Sequence, residues 1–402
     1  MTAARGPRST APVLGRALLA AFEGHDRLRR VDLMAATGLS RPVVTALLGK
    51  LVADGLLTPV PPEDGPAPVR GRPSPAYRLA RAATCVALLR LFRGPTAFTL
   101  VTTDGPTAHR TLDVPWTGPW QEWCAAVRDV LGAAEAATGL HARHVVLALP
   151  LPVDASGDGP ARIGRPFGRQ LPPGAPAPLA ALLRRWRQED PRDQLSRTLG
   201  RTVHLVNDAN LAALGEAHHG AAAHASSSLH LSVRDGLGAG IVIGGRIHHG
   251  ALGTAGEIAH IPVVEDGPYC LCGKRGCLAT QTLGADLTTA FSALYRRALT
   301  RTDVDAMLRA PDATANRYLD DLGRLLARPL ASTITMLNPD VLVIDPELRA
   351  GHEAFTRGLA TRIAPFTDPD PAGTLRIVPG ALPEAHAYGA LSLPRTTPAT
   401  PL

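Results

Sequence analysis

The stretch Gly250 to Gly284, GALGTAGEIAHIPVVEDGPYCLCGKRGCLATQTLG, places three of the chain's five cysteines, Cys270, Cys272 and Cys277, within eight residues. His260 lies ten residues upstream, close enough to fold back as a fourth donor. One imidazole and three thiolates at short spacing suit a closed, four-coordinate zinc site. Gly273 and Gly276 separate the sulfurs, where a tight knuckle needs backbone freedom that a Cβ restricts. With no position left for water, the expected Zn2+ is structural rather than catalytic. The competing reading is a set of buried cysteines that touch no metal.

These residues resemble the signature of the ROK family (repressors, open reading frames, sugar kinases). There an acid-x-Gly-His motif precedes Cys-x-Cys-Gly-x-x-Gly-Cys-x-Glu. Here the two read Glu257-Ile258-Ala259-His260 and Cys270-Leu271-Cys272-Gly273-Lys274-Arg275-Gly276-Cys277-Leu278-Ala279. Ala259 replaces a glycine and Ala279 replaces the final glutamate. The resemblance covers nearly the whole chain. It implies an α/β fold: an N-terminal winged helix-turn-helix plus a two-lobed actin-like ATPase/sugar kinase (ribonuclease H-like) body. The expected domains are 1–80 for the DNA reader, 81–205 for the first lobe with a closing helix at 384–393, and 206–383 for the second lobe with the zinc site.

Outward from this stretch, 402 residues allow two or three domains, and 45% apolar content supplies real cores. Only Lys50 and Lys274 are lysines, so nearly all of the 42 basic residues are arginine. No apolar run approaches the ~20 residues of a membrane span. The start, MTAARGPRSTAPVLGRALLAAF, is not expected to be a signal peptide, because Arg16 interrupts its apolar patch. Clustered thiols point to a reducing cytoplasm and metal binding rather than disulfides. Residues 1–80 carry 11 Lys/Arg against 6 Asp/Glu, a net +5 of the chain's +7. A basic balance concentrated there points to nucleic acid.

Within that region Leu14, Leu18, Leu19 and Phe22 recur at helical spacing. A second helix is expected from about Val31 to Thr37, ended by Gly38, with Leu33 and Met34 inward. Ser40 can cap a third, with Pro42 in its first turn. Val43, Val44, Leu47, Leu48 and Leu51 form its expected buried face, while Arg41, Pro42, Thr45, Gly49 and Lys50 lie opposite. This is a helix-turn-helix pattern. Two short strands around a Pro-rich tip then form a wing, with Arg70, Gly71 and Arg72 suited to a minor groove. Ser40, Arg41, Pro42, Thr45, Lys50, Arg70, Gly71 and Arg72 are therefore the candidate contacts to a double-stranded DNA operator. The arrangement resembles the winged helix of ROK-type repressors.

In the first lobe, Cys85–Leu91 and Ala97–Thr102 read as a hairpin. In sugar kinases of the superfamily that hairpin carries Asp-x-Gly-Gly-Thr for ATP phosphates and magnesium. Here it reads Leu88-Leu89-Arg90-Leu91-Phe92-Arg93-Gly94-Pro95-Thr96, with no carboxylate before a glycine pair, so the phosphate site is expected to be absent. Trp116–Ala137 reads as a helix, His144–Ala148 as a strand, Gly157–Pro178 as loop, and Leu179–Arg187 and Gln194–Leu199 as helices. Pro150-Leu151-Pro152-Val153-Asp154 resembles the family's Pro-Gly-Pro-Val-Asp turn.

Val203–Val206 reads as a strand ending at Asn207-Asp208, where the crevice of an α/β fold binds ligands. An Asx turn at Asp208 capping the next helix is the plainer alternative. The resemblance implies that Asn207, Asp208, Glu257 and His260 bind sugar hydroxyls, with His260 using its other nitrogen for zinc. Asp208 is the general base if the chain is a kinase. Gly236-Leu237-Gly238-Ala239-Gly240 resembles a second phosphate loop and also suits a plain hairpin. Asp345-Pro346 stands where a Gly-Gly pair packs on adenosine. The resemblance as a whole implies a DNA-binding transcriptional regulator, a repressor answering a sugar or sugar derivative and acting as a homodimer or homotetramer. The alternative is an ATP-dependent, glucokinase-like sugar kinase.

Overall fold

In the computed structural model, residues 14, 18–19, 21–22, 25, 27–53, 57–60, 75–79, 85–91, 95–116, 118–154, 190–233, 236–270, 272–282, 286–310, 312–345, 348, 351–363 and 375–396 are described. Leu14, Leu18 and Leu19 are helical, and Leu18 and Phe22 are buried. After a two-residue strand β1 (Leu28–Arg29) comes α1 (Arg30–Thr37). Arg29 N donates to Asp32 Oδ2 at 2.9 Å, closing its first turn. Gly38, at φ 67, ends the helix in the left-handed conformation, its N–H bonded to Met34 O. The chain then turns by 114° into α2 (Arg41–Ala53), within the range of a helix-turn-helix.

Leu33, Val44, Leu47, Leu48 and Leu51 join Leu18, Phe22, Leu28 and Leu57 in one small core. Val43 does not: it is 36% exposed. One residue is a 100° step around a helix, and Val44 takes the inward position. β2 (Leu57–Val60) and β3 (Ala76–Leu79) pair antiparallel, with β1 on the far side of β3. The expected wing tip, with Arg70, Gly71 and Arg72, lies outside the described residues.

The remainder contains two five-stranded sheets of the same order. In the first, β4 (Val86–Arg90), β5 (Thr96–Thr102) and β6 (Gly105–Leu112) form an antiparallel meander. β7 (His144–Leu149) and β8 (Thr202–Asn207) then add in parallel to β4, giving β6-β5-β4-β7-β8. In the second, β9 (Ser227–Ser232), β10 (Gly238–Ile243) and β11 (Arg246–Ile247) form the meander. β12 (Val341–Ile344) and β13 (Arg376–Pro379) complete β11-β10-β9-β12-β13. This repeat is the expected two-lobed ribonuclease H-like arrangement.

Helices cover both faces of the first sheet, so its strands read as near-continuous apolar runs. α3 (Trp120–Thr138) starts four residues later than expected; with α4 (Pro191–Leu199) it packs on the face of Leu89, Leu147 and Leu205. The other face, with Val86, Leu88 and Val206, meets α5 (Asp208–His219) and α11 (Ala385–Thr396). The second sheet packs against α6 (Leu278–Gln281), α7 (Leu287–Leu294), α8 (Arg301–Arg309), α9 (Ala313–Leu337) and α10 (His352–Ile363).

The lobes exchange helices. α5 follows the first sheet yet packs on β9 and β10, while α11 follows the second sheet and packs on β4 and β5. The two cross at Gly215 and Gly389. A Cβ on Gly215 would lie 2.0 Å from Ala385 O, and one on Gly389 1.9 Å from Leu211 O, so only glycine permits this approach. The expected loop 157–178 and helix 179–187 lie outside the described residues, as do Arg93, Gly94, Pro346 and the tail after Thr396. Among the described residues no single helix is long and apolar enough to cross a membrane.

Candidate functional site

Cys270, Cys272 and Cys277 lie in a knuckle pinned by backbone bonds. Cys270 N donates to Lys274 O at 2.8 Å, Gly273 N to Cys270 O at 2.9 Å, and Gly276 N to Pro268 O at 2.9 Å. Gly273 and Gly276 adopt φ 87 and 61, and a Cβ on Gly276 would lie 1.6 Å from Val264 O. Arg275 braces the turn, donating from Nε to Gly267 O at 3.1 Å while its guanidinium lies over the Tyr269 ring. His260 ends a 3-10 turn, Ile258–His260, that brings it beside the knuckle.

The donor atoms of His260, Cys270, Cys272 and Cys277 all lie within 4.8 Å of one another, so the four could hold a metal ion. Cys272 Sγ and Cys277 Sγ are 3.5 Å apart, and Cys270 Sγ is 3.4 Å from His260 Nδ1. Metal–sulfur bonds of about 2.3 Å set the edge of a tetrahedron near 3.8 Å, so the spacing fits. All five cysteines are free thiols. Burial pushes the Cys277 thiol up to about 12 and raises that of Cys270. A dication among them supplies the charge that thiolates need. Burial, helped by the Lys274 charge, lowers the basicity of His260 and keeps its ring neutral, as a ligand must be.

The other nitrogen of His260 faces a carboxylate: Nε2 is 3.8 Å from Glu257 Oε2. Burial, with the Asp208 charge adding to it, pushes the Glu257 carboxyl up to about 7. Asp208, Glu257 and His260 are therefore neighbours. Asn207, not Asp208, caps α5: its Oδ1 accepts from Asn210 N at 3.0 Å, and its Nδ2 donates to Leu151 O at 3.2 Å. That leaves the Asp208 carboxylate at the start of the helix, with Oδ1 accepting from Ala209 N at 2.8 Å. A Cβ on Gly253 would lie 2.0 Å from Val153 O, so the Pro150–Asp154 turn closes against the Gly250–Thr254 turn. Ala279, in α6, brings no carboxylate where the family pattern has glutamate.

Two further features have no local sequence motif. Arg90, at the end of β4, donates from Nη2 to His386 Nε2 at 3.5 Å, joining the first sheet to α11. Glu216 is fully buried and accepts from the N–H groups of Ala221, Ala381 and Leu382. Near it His230 is 2% exposed, and burial lowers its basicity to about 4. Asp345 accepts from Ser232 Oγ at 3.2 Å across the ends of β12 and β9. Two glycines of the run pack against a helix: a Cβ on Gly238 would lie 3.2 Å from Ala209 Cβ and one on Gly240 2.4 Å from Ala213 Cβ, so both let α5 close on β10, whereas nothing lies within 4 Å of a Cβ on Gly236. Ser40, Arg41, Pro42, Thr45, Gly49 and Lys50 are all exposed.

Residues 181–394 match the sequence profile of the ROK family. The glucokinase of Halalkalibacterium halodurans is 37% identical over 174 residues, 40% of this chain and 53% of that protein. The xylose repressor of Bacillus subtilis (strain 168) is 23% identical over 209 residues, 52% of this chain and 54% of that protein. The chain thus spans about half the length of these curated relatives. The crystal structure of a ROK family transcriptional regulator, a homolog of the E. coli MLC protein, superposes with a TM-score of 0.68. That likeness, at 21% identity, covers 96% of this chain and 98% of the other and carries the fold. Repressors and glucokinases both stand among these relatives, and the profile match spans more than half of the 402 residues. On this evidence, together with the knuckle and the paired sheets, the chain belongs to the ROK family.

Proposed function

We propose that this chain is a DNA-binding transcriptional repressor whose two-lobed body takes a sugar or sugar derivative. The observation that carries the reading is a helix-turn-helix presenting Arg41, Thr45 and Lys50 to solvent in front of such a body. Arginine and lysine there suit phosphate and base-edge contacts, and dimerisation of the body suits a palindromic operator. The sugar seat is Asn207, Asp208, Glu257 and His260. Carboxylates and an imidazole converging on one wall are the groups that recognise hydroxyls. Zn2+ held by His260, Cys270, Cys272 and Cys277 is structural: it fixes the imidazole whose other nitrogen faces the cleft. Ligand binding that favours one lobe arrangement then shifts operator affinity by its differential affinity for the two arrangements.

A sugar kinase is the second reading. It is favoured by Asp208 at the carboxyl end of β8, placed to accept a hydroxyl proton. It is opposed by Arg90, where the kinase pattern has a magnesium-holding aspartate, and by Asp345 on the adenosine side. Two measurements on the purified chain separate the readings: retention of duplex DNA at low salt, and a coupled phosphorylation assay over a sugar panel with Asp208→Asn as control. Robust turnover that depends on Asp208 would defeat the repressor reading.

A further inference from the structure

α2 buries Val44, Leu47, Leu48 and Leu51, yet Val43 on the same helix is 36% exposed. A lone surface valine is ordinary. This one stands on a face equipped for nucleic acid. At 100° and 1.5 Å per residue, Val43 and Lys50 lie within about 20° of each other around the helix, two turns apart. Arg41 and Thr45, one turn apart, form the opposite edge of the face, and Ala46 and Gly49 lie between the edges. All six side chains are exposed. A Cβ on Gly49 would meet nothing within 4 Å, so the middle of the face stays low between its two edges.

The four bases call for different partners in the major groove. Arginine or lysine reads guanine, asparagine or glutamine reads adenine, aspartate or glutamate reads cytosine, and an apolar group meets the thymine methyl. Residues 40–53 contain no Asn, Gln, Asp or Glu. The Thr45 hydroxyl donates to Arg41 O at 2.8 Å, so its proton is spent on the helix itself. What α2 offers a base edge is therefore mainly cation and methyl. Valine suits the second task. Its branched Cβ holds one strongly preferred χ1 in a helix, so its methyls are fixed before any contact forms. Arg41 and Val43 lie in the first turn, the part of a reading helix that reaches base edges. With no carboxylate on the helix, nothing there repels a polyanion.

We infer that Val43 reads a thymine: its side chain packs on the C5 methyl of one thymine of the operator, while Arg41 and Lys50 hold α2 in the major groove on either side. This rests on the reading of the N-terminal head as a DNA binder and adds the base that one residue selects. Cytosine, guanine and adenine present no methyl in the groove, so each would set Val43 against a polar edge stripped of water. Val43 therefore discriminates between duplexes, whereas charge alone binds them all.

Selection by the full chain from a random-sequence duplex pool supplies the probe, and each thymine of the preferred duplex is then replaced in turn by deoxyuridine. That exchange removes one methyl and leaves the hydrogen-bonding edge intact. At one thymine it is expected to weaken binding about fourfold, the value of one buried CH2 group. Val43→Ala is expected to bring that ratio close to one, and Val43→Ile to keep it. Melting temperatures check that both variants are folded, and the deoxyuridine series on the unaltered chain needs no variant. Absence of any thymine sensitive to the exchange overturns the assignment and leaves DNA binding standing. So does a sensitivity that survives Val43→Ala, or a selected pool with no sequence preference. Failure to retain any duplex at low salt overturns both this assignment and the repressor reading beneath it.

Discussion

Replacing Gly215 by alanine tests whether the two lobes are held at one crossing point. The added Cβ would lie 2.0 Å from Ala385 O, whereas ordinary contact begins at 3.4 Å. α5 and α11 would have to part by about 1.4 Å to admit it. Both helices are packed between the sheets, so the movement loosens Leu211, Leu214, Ala387 and Leu391 as well. Overpacking of this kind costs about 1–3 kcal/mol, against a gain of up to about 1 kcal/mol from alanine's better helix propensity. Equilibrium urea unfolding of the full chain is expected to show a net loss of about 1–2 kcal/mol. Gly132→Ala on α3 is the control. Nothing lies within 4 Å of a Cβ there, so alanine should be neutral or stabilising. Asn207 and Asp208 sit at the start of α5, so Gly215→Ala should also weaken any ligand of the cleft. A Gly215→Ala variant as stable as the parent would refute the account of the crossing.

Elemental analysis of the purified chain should find about one zinc per chain, and Cys277→Ser should lose it and lower the melting temperature; full stability of a metal-free variant would count against a structural site. Acid should destabilise the fold through His204 and His230, both lowered to about 4 from 6.5 by burial. Their stabilising contribution is complete above pH 6.5 and falls as pH drops towards 4, because the unfolded chain takes up protons first; the His204 share is on the order of 3 kcal/mol, and His204→Leu should flatten the profile. Arg41→Ala should weaken binding to any duplex and reduce the slope of log affinity against log salt by about 1 if Arg41 touches a phosphate. An unchanged slope with altered sequence preference would instead place Arg41 on a base edge.

The knuckle was legible in the sequence because its donors are local. Cys270, Cys272, Cys277 and His260 span eighteen positions, and the glycines between them admit few backbone paths. The helix-turn-helix was legible for the same reason, since Gly38 stops one helix and apolar spacing marks the next. Phase was less secure, and Val43 shows how one residue moves a side chain from core to surface. The helix cap went to Asn207 rather than Asp208 because the strand continues to Asn207, and strand ends depend on the neighbouring strand.

What only the tertiary structure decided are pairings between distant parts of the chain. Arg90 and His386 are 296 residues apart and meet because α11 returns to the first sheet. Gly215 and Gly389 needed each other before either glycine made sense. The glycines at 238 and 240 resemble a phosphate loop in one dimension, and in three they also seat α5. Local chemistry, set by side-chain type and short spacing, is written along the chain. Contact between remote segments depends on how two whole sheets and their helices close, and no short window of sequence contains that information.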